Sequence, residues 1–381
     1  MKNIFYICLA IGFMFSSVTF VSCGNSGKKS NQENNNSGQD SKSQNVGDRD
    51  EADNIKITAV NFPDSAFRAY IYDEYGADGV LSDEEIDNVI ELELSCKKIK
   101  SLEGIEFFPL LEKLECSYNQ LTSLDMSKNT ALKELWCNGN QLASLDVSKN
   151  TKLTELYCSS NQFTSLDVSK NTALATLYCD GNQLTSLDVS KNTALERLDC
   201  NDNQLTSLDV SQNTALTSLY CYCNHLTSLD VSKNIELMIL NCERNLFTSL
   251  DVSKNTALTS LWCSYNQLTS LDVSKHTALT WLSCGSNQLA SLDVSKNTAL
   301  ETLSCGENRL ISLDVLNNTK LTDLYCYDNQ LTSLDVSKNT ALETLSCNDN
   351  QFTSLDVSKN TKLTELFYDN SKVIVAGWPK K

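Results

Sequence analysis

A cysteine recurs every 21 residues through most of this chain, at Cys116, Cys137, Cys158 and onward to Cys347. The step never changes: (347 − 116)/21 gives eleven intervals, hence twelve copies with no insertion or deletion. Residues 132–152, LKELWCNGNQLASLDVSKNTK, are one copy. A fixed period of this length means that one small unit stacks on copies of itself, each burying its apolar side against the next. Such an array grows by addition and not by enlarging a single core. The 381 residues therefore do not imply two or three ordinary domains.

With Leu132 as position 1, the apolar slots are positions 1, 4, 6, 11 and 14: Leu132, Leu135, Cys137, Leu142 and Leu145. These are expected to point inward. Position 9 is asparagine in all twelve copies, from Asn119 to Asn350. An inward asparagine must be hydrogen-bonded, since an unpaired buried polar group costs about 1–3 kcal/mol. Loop N–H and C=O groups of its own and the next repeat are the expected partners. Positions 15–19, Asp146 to Asn150, read as a return-path turn, where Asp, Ser and Asn bond to nearby backbone. The interleaved lysines weigh against a calcium-binding acid ladder there.

The chain has 16 cysteines, a number that usually suggests disulfides in an exported protein. The spacing argues otherwise. The twelve regular ones occupy one slot of successive parallel strands, about 4.8 Å apart. Their Cβ vectors run nearly parallel, whereas a disulfide needs them angled together. They are expected to be buried free thiols that act as small apolar residues. No C-x-x-C pair supplies zinc-type spacing. Cys223 stands off the ladder at position 8, either an exposed thiol or drift at a tolerant site.

The 21-residue spacing, the Leu135-x-Cys137-x-x-Asn140-x-Leu142 core and the recurring LTSLDVSKNTAL segment carry a resemblance. Over roughly residues 55–370 the chain resembles the bacterial internalin family, and within it the internalin-J class. The resemblance implies an α/β repeat fold: a right-handed leucine-rich-repeat solenoid with a parallel concave β-sheet and a small helical N-terminal cap. It also implies a non-enzymatic role in adhesion or recognition of another macromolecule.

In chain order, residues 1–23 read as a lipoprotein signal peptide, with Cys23 as the lipid attachment. Residues 24–54 have almost nothing apolar to bury and read as a disordered tether. Residues 55–91 read as the cap, 92–370 as the solenoid and 371–381 as the closing segment. In the cap, Pro63 and Asp64 suit a helix start, with Phe67, Tyr70 and Ile71 as its apolar stripe. Ser82 and Glu85 form a capping-box pattern. The same stretch, Asp78 to Glu85, resembles the second half of an EF-hand loop, but Gly76 stands where a ligand is required. At the other end Tyr368 replaces the ladder cysteine, and Val373, Ile374, Val375 and Trp378 are expected to close the core. The expected location is outside the cytoplasm, membrane-anchored, at the outer membrane or cell surface in preference to facing the periplasm.

The net charge of −17 argues against nucleic acid and against docking on anionic lipid. No cofactor or metal is implied, and a monomer is expected. The two histidines, His225 and His276, replace template residues and suggest no catalytic arrangement.

What varies between copies are positions 3, 5, 7 and 8, which are expected to face out from the sheet and its edge. Position 5 holds Trp or Tyr in six copies: Trp136, Tyr157, Tyr178, Tyr220, Trp262 and Tyr325. Trp281 joins them from position 3, and Tyr118, Tyr222, Tyr265 and Tyr327 extend the stripe from positions 7 and 8. Exposed aromatic rings offer large contact area with a polar handle, so this stripe is the candidate ligand-binding face. A protein ligand comes first. A glycan is the alternative, with Glu134, Glu155, Asp180, Asp199 and Asp202 to bond its hydroxyls. An envelope spacer without a ligand is the third reading.

Overall fold

The computed structural model describes residues 54–378. The signal peptide, Cys23 and the tether up to residue 53 lie outside the described residues.

The cap is built as the sequence indicates. Strand β1 (Ile55–Lys56) pairs antiparallel with β2 (Val80–Leu81). Helix α1 (Ser65–Glu74) starts at Asp64, whose Oδ1 accepts the N–H groups of Ala66 and Phe67 at 2.8 and 3.0 Å. Its other oxygen accepts the Lys100 N–H at 2.8 Å and so ties the cap to the first repeat. Phe67 and Ile71 are buried, and Tyr70 packs partly against the core. Helix α2 (Asp83–Asp87) has a full capping box, in which Glu85 accepts from the Ser82 N–H at 2.8 Å and the Ser82 hydroxyl at 2.7 Å. The carboxylate that an EF-hand loop would turn onto calcium is thus engaged in helix capping. Among the described residues no cluster of three Asp, Glu, His or Cys is placed to hold a metal.

Beyond the cap, β3 (Glu91–Glu93) and β4 (Lys113–Glu115) open the array. Strands β5 to β15 then recur every 21 residues from Glu134–Trp136 to Thr344–Ser346. After them come β16 (Ser354–Asp356), β17 (Glu365–Phe367) and β18 (Ile374–Ala376). Strands β3 to β15 and then β17 form one 14-stranded parallel sheet in sequence order. The register is in phase throughout: Leu135 lies beside Leu156, and Trp136 beside Tyr157. Within the repeats the return path consists of turns, and among the described residues helix is confined to the cap and one 3-10 turn at Ile105–Phe107.

Position 6 behaves as expected. All twelve ladder cysteines are buried, and all are free. The position-9 asparagines are also buried or nearly so, but they reach back and not forward. Asn140 Nδ2 donates to the carbonyls of Cys116 and Cys137, both at 3.1 Å, and its Oδ1 accepts the Leu121 N–H at 3.0 Å. The reason lies in the parallel ladder. The Cys116 N–H already donates forward to the Trp136 carbonyl, which leaves the Cys116 carbonyl in need of a donor. The next repeat supplies it through its asparagine.

A second ladder was not legible as buried. Val147 and Asn150, read as part of a polar turn, are completely inaccessible, as are their counterparts in nearly every copy. Asn150 Nδ2 donates to the carbonyls of Met126 and Asn129, both at 2.9 Å. The column runs from Asn129 to Asn360 and is broken only by His276. His276 keeps one of the two bonds, Nε2 to the Val252 carbonyl at 3.0 Å, and its Nδ1 is buried without a partner, as is the Oδ1 of each asparagine in the column. The aspartates before this column do form local turns: Asp146 accepts the Ser148 N–H at 2.9 Å. The Ser148 hydroxyl, followed by that N–H, holds the Asp146 carboxyl below the usual carboxylate range.

Position 8 tolerates many side chains but one backbone conformation. It has positive φ in all twelve copies, from 48° at Asp202 to 63° at Gly139 and Gly181. Ten of the twelve are not glycine, so this strain, about 1–2 kcal/mol per residue, is accepted repeatedly for the sake of the bend. At the far end the expected closing segment is only partly right. Val373 is buried and Val375 and Trp378 pack against the core, but Ile374 is 78% exposed. Strand β18 pairs with β16 on the return side, so its alternate residues face outward, away from the core.

Two measurements follow from this core. A thiol reagent added to the folded protein should modify Cys96 and Cys223, both half-buried, before any ladder cysteine. Burial pushes the ladder thiols up, to about 12 at Cys137. Ladder thiols that react at the Cys223 rate would contradict their placement. His276→Asn should restore the missing amide bond and raise the denaturant midpoint, by about 1 kcal/mol of stability. Asn213→Ala, at an intact point of the same column, should lower it by about 2–3 kcal/mol.

Candidate binding face

The first and third residues of each three-residue strand point to one side of the sheet, because side chains alternate along a strand. The middle leucine points to the core. This places Trp136, Tyr157, Tyr178, Tyr220, Trp262 and Tyr325 at third positions and Trp281 at a first position of the same face. The sequence reading expected exposed rings. Every one of these seven is half-buried instead. For Trp136, Tyr157, Tyr178, Trp262 and Trp281 the strand spacing contributes, because it brings rings on adjacent strands into contact.

The structure groups these residues unevenly. Trp136 and Tyr157 lie 4.7 Å apart between ring centroids, and Tyr157 and Tyr178 lie 5.0 Å apart. These three form a continuous row of ring contacts across β5, β6 and β7, the first pair tilted at 49° and the second edge-to-face at 70°. Asp199 interrupts it on β8, and Tyr220 follows on β9. Trp262 and Trp281 form a separate diagonal pair at 6.0 Å. Tyr325 stands between Ser304 and Ser346, apart from both groups. Tyr327 covers Gly306, where a Cβ would come within 2.8 Å of its ring.

Several partners of these rings were not singled out from sequence. Lys113 Nζ lies 5.7 Å from the Trp136 ring centroid and pairs with Glu91. Arg244 sits between two rings, 4.5 Å from Tyr265 and 6.0 Å from Tyr222. The only available signal was that a basic residue at position 3 or 8 falls beside an aromatic one in the neighbouring copy. The Tyr157 hydroxyl donates to Glu155 at 3.1 Å, and burial followed by that carboxylate pushes its ionisation far above the ordinary tyrosine value.

Two carboxylates sit beside the stack in an unusual state. Asp180 accepts from the Ser159 hydroxyl, and Asp199 accepts the Asn201 N–H at 3.0 Å. Burial raises both carboxyls, and for Asp199 the charge of Asp180 adds to it. Arg197, on the same strand as Asp199, is exposed and acts on the phenols of Tyr157, Tyr178 and Tyr220. A third half-buried acid, Glu243, accepts from the Ser283 hydroxyl at 2.9 Å, and Ser283 bonds Ser264 at 2.7 Å. Burial raises Glu243 as well.

The Asp199 environment has a measurable consequence. Its carboxyl is pushed up to about 8 in the folded chain from an ordinary value of 3.8. Between those values the unfolded chain is ionised while the folded chain holds a proton, so stability falls as pH rises. Asp199→Asn removes that loss. The melting-temperature advantage of the variant should be near zero at pH 4, grow as pH rises and level off above pH about 8. An advantage that is constant with pH would contradict the environment described.

Comparison with known proteins places this geometry in context. A family model described as leucine rich repeats (2 copies) matches residues 109–150 and 193–234. No relative is found among curated proteins. Among solved structures, the functional domain of InlJ from Listeria monocytogenes, which includes a cysteine ladder, is 41% identical with a TM-score of 0.81. That match covers 83% of this chain and 71% of the InlJ chain. The internalin InlF from L. monocytogenes is 25% identical with a TM-score of 0.72, covering 85% of this chain and 97% of that one. YopM from Yersinia enterocolitica is 25% identical with a TM-score of 0.64, covering 79% and 68%. The in-phase 21-residue register, the buried free cysteines and the InlJ match together establish that this chain belongs to the internalin-type family of leucine-rich-repeat proteins.

Proposed function

We propose that this chain is a non-enzymatic recognition protein that binds another protein through the aromatic face of its sheet. The observation that carries the reading is the Trp136–Tyr157–Tyr178 stack, three large rings on a face where the repeat otherwise varies freely. Core positions hold the register. Face positions are free to be chosen for a ligand, and rigid aromatic side chains supply contact area at low entropic cost. Tyr220, Trp262, Trp281 and Tyr325 extend the same face toward the C-terminal end. Export with Cys23 as a lipid anchor would present that face at the cell surface, held off the membrane by residues 24–54.

The test is a triple variant, Trp136→Ala with Tyr157→Ala and Tyr178→Ala. It should keep the circular dichroism spectrum of the parent and lose at least tenfold in protein capture from neighbouring-cell or host surface preparations. Binding on a glycan array without protein capture would move the ligand class to carbohydrate. Unchanged capture would sink the role of this face. Protease treatment of intact cells should release the repeat domain if it faces outward, and leave it uncut if it faces the periplasm.

A further inference from the structure

The two halves of the sheet face differ in charge. Across β3 to β8 the first and third strand positions carry Glu91, Glu93, Glu115, Glu134, Glu155 and Asp199, against only Lys113 and Arg197 as bases. Across β10 to β15 the same positions carry one ionisable acid, Asp323, and no base. Nothing in the repeat template requires this difference, because both halves share one core. The acids gather around the three-ring stack, while the Trp262–Trp281 pair lies in the nearly neutral half.

The face already shows what such a mixture holds. Where rings and basic side chains meet, the chain's own cations settle on them: Lys113 over Trp136, and Arg244 between Tyr222 and Tyr265. Ring faces attract cations through their quadrupole, and adjacent carboxylates add Coulomb attraction. Between Trp136 and Tyr220 the one base at a first or third strand position is Arg197, which acts on the Tyr157, Tyr178 and Tyr220 phenols, while the charged groups acting on Asp180 and Asp199 are acids. A cation inserted there lets both carboxyls ionise side by side.

Resting on the reading that this face binds protein, we propose that the Trp136–Tyr220 region takes a basic segment of its partner, with one Lys or Arg side chain entering beside Asp180 and Asp199 and its neighbours lying on the Tyr157 and Tyr178 rings. The titratable groups acting on or acted on by Asp199 are Asp180, Asp202, Tyr178 and Tyr220, and Arg197 on the same strand acts on both of those phenols. With Asp199 holding a proton near neutrality, the entering cation displaces it, and the proton passes to solvent.

The probe is a synthetic ten-residue peptide alternating Arg with Gly and Ser, set against the same peptide with Gln for Arg. Titration calorimetry on the full chain at low salt should show binding of the Arg peptide and none of the Gln peptide. Affinity should fall at least tenfold in Asp180→Asn/Asp199→Asn and stay within twofold in Asp251→Asn/Asp272→Asn, which removes two carboxylates from the return-path turns. The apparent heat should depend on buffer ionisation heat, reporting proton release, and that dependence should vanish in Asp199→Asn. Equal affinity in parent and Asp180→Asn/Asp199→Asn, or no binding by the Arg peptide, overturns the assignment of a basic partner. In that event the triple aromatic variant still decides separately whether the face binds protein at all.

Discussion

The fold depends on how each turn of the chain satisfies the carbonyls of the turn before it. In-phase parallel strands bond to both neighbours, the Glu134 N–H back to the Glu112 carbonyl and the Cys137 N–H forward to that of Tyr157, and each strand is three residues long. Where it stops, an asparagine takes over on each side of the core. Asn140 and its equivalents serve the end of the strand, and Asn150 and its equivalents serve the return path. Both reach back one repeat to a carbonyl 24 residues earlier. A buried amide that bonds two turns fixes their separation more tightly than apolar packing does. Packing alone tolerates sliding, whereas an unpaired buried carbonyl does not.

This division of labour explains the sequence. Leucine and cysteine fill the core, where a fixed small volume repeats at every level. The thiols need no chemistry to be useful there. Their parallel stacking keeps them free, and their burial keeps them protonated. With register settled by core and asparagine, the first and third positions of every strand are released from structural duty. That is why Trp, Asp, Arg, Ser and Tyr can succeed one another across the face while the middle leucine never changes. The array behaves as a ruled surface on which chemistry is written one strand at a time.

Much of this was legible in the sequence. Period, burial of Cys137 and the side on which Trp136 lies follow from spacing alone. The membership in the internalin-type family followed from the same residues. What was not legible had physical causes. Asn150 sits between Lys149 and Thr151, so local composition reads as a solvated turn; its burial follows only from three-dimensional stacking. His276 looked like harmless drift, yet it breaks a column. The varied residues at position 8 concealed a constant positive φ, because variation in side chain says nothing of backbone. The aromatic stripe was read as exposed, but every ring is half-buried, five of the seven beside a ring on an adjacent strand. The pairing of Arg244 with Tyr222 and Tyr265 required knowing that positions 7 and 8 of successive copies bring those side chains within 6.0 Å.

The account stands or falls on the return path being as firmly held as the strands. Amide hydrogen exchange followed by mass spectrometry tests this directly. Peptides covering positions 16–19, such as residues 147–150, should be protected as strongly as those covering the strand of the same repeat, through the middle of the array. Return-path amides that exchange at the rate of an open loop, while the strands stay protected, would contradict the second asparagine ladder and with it the fixed register that leaves the face free for recognition.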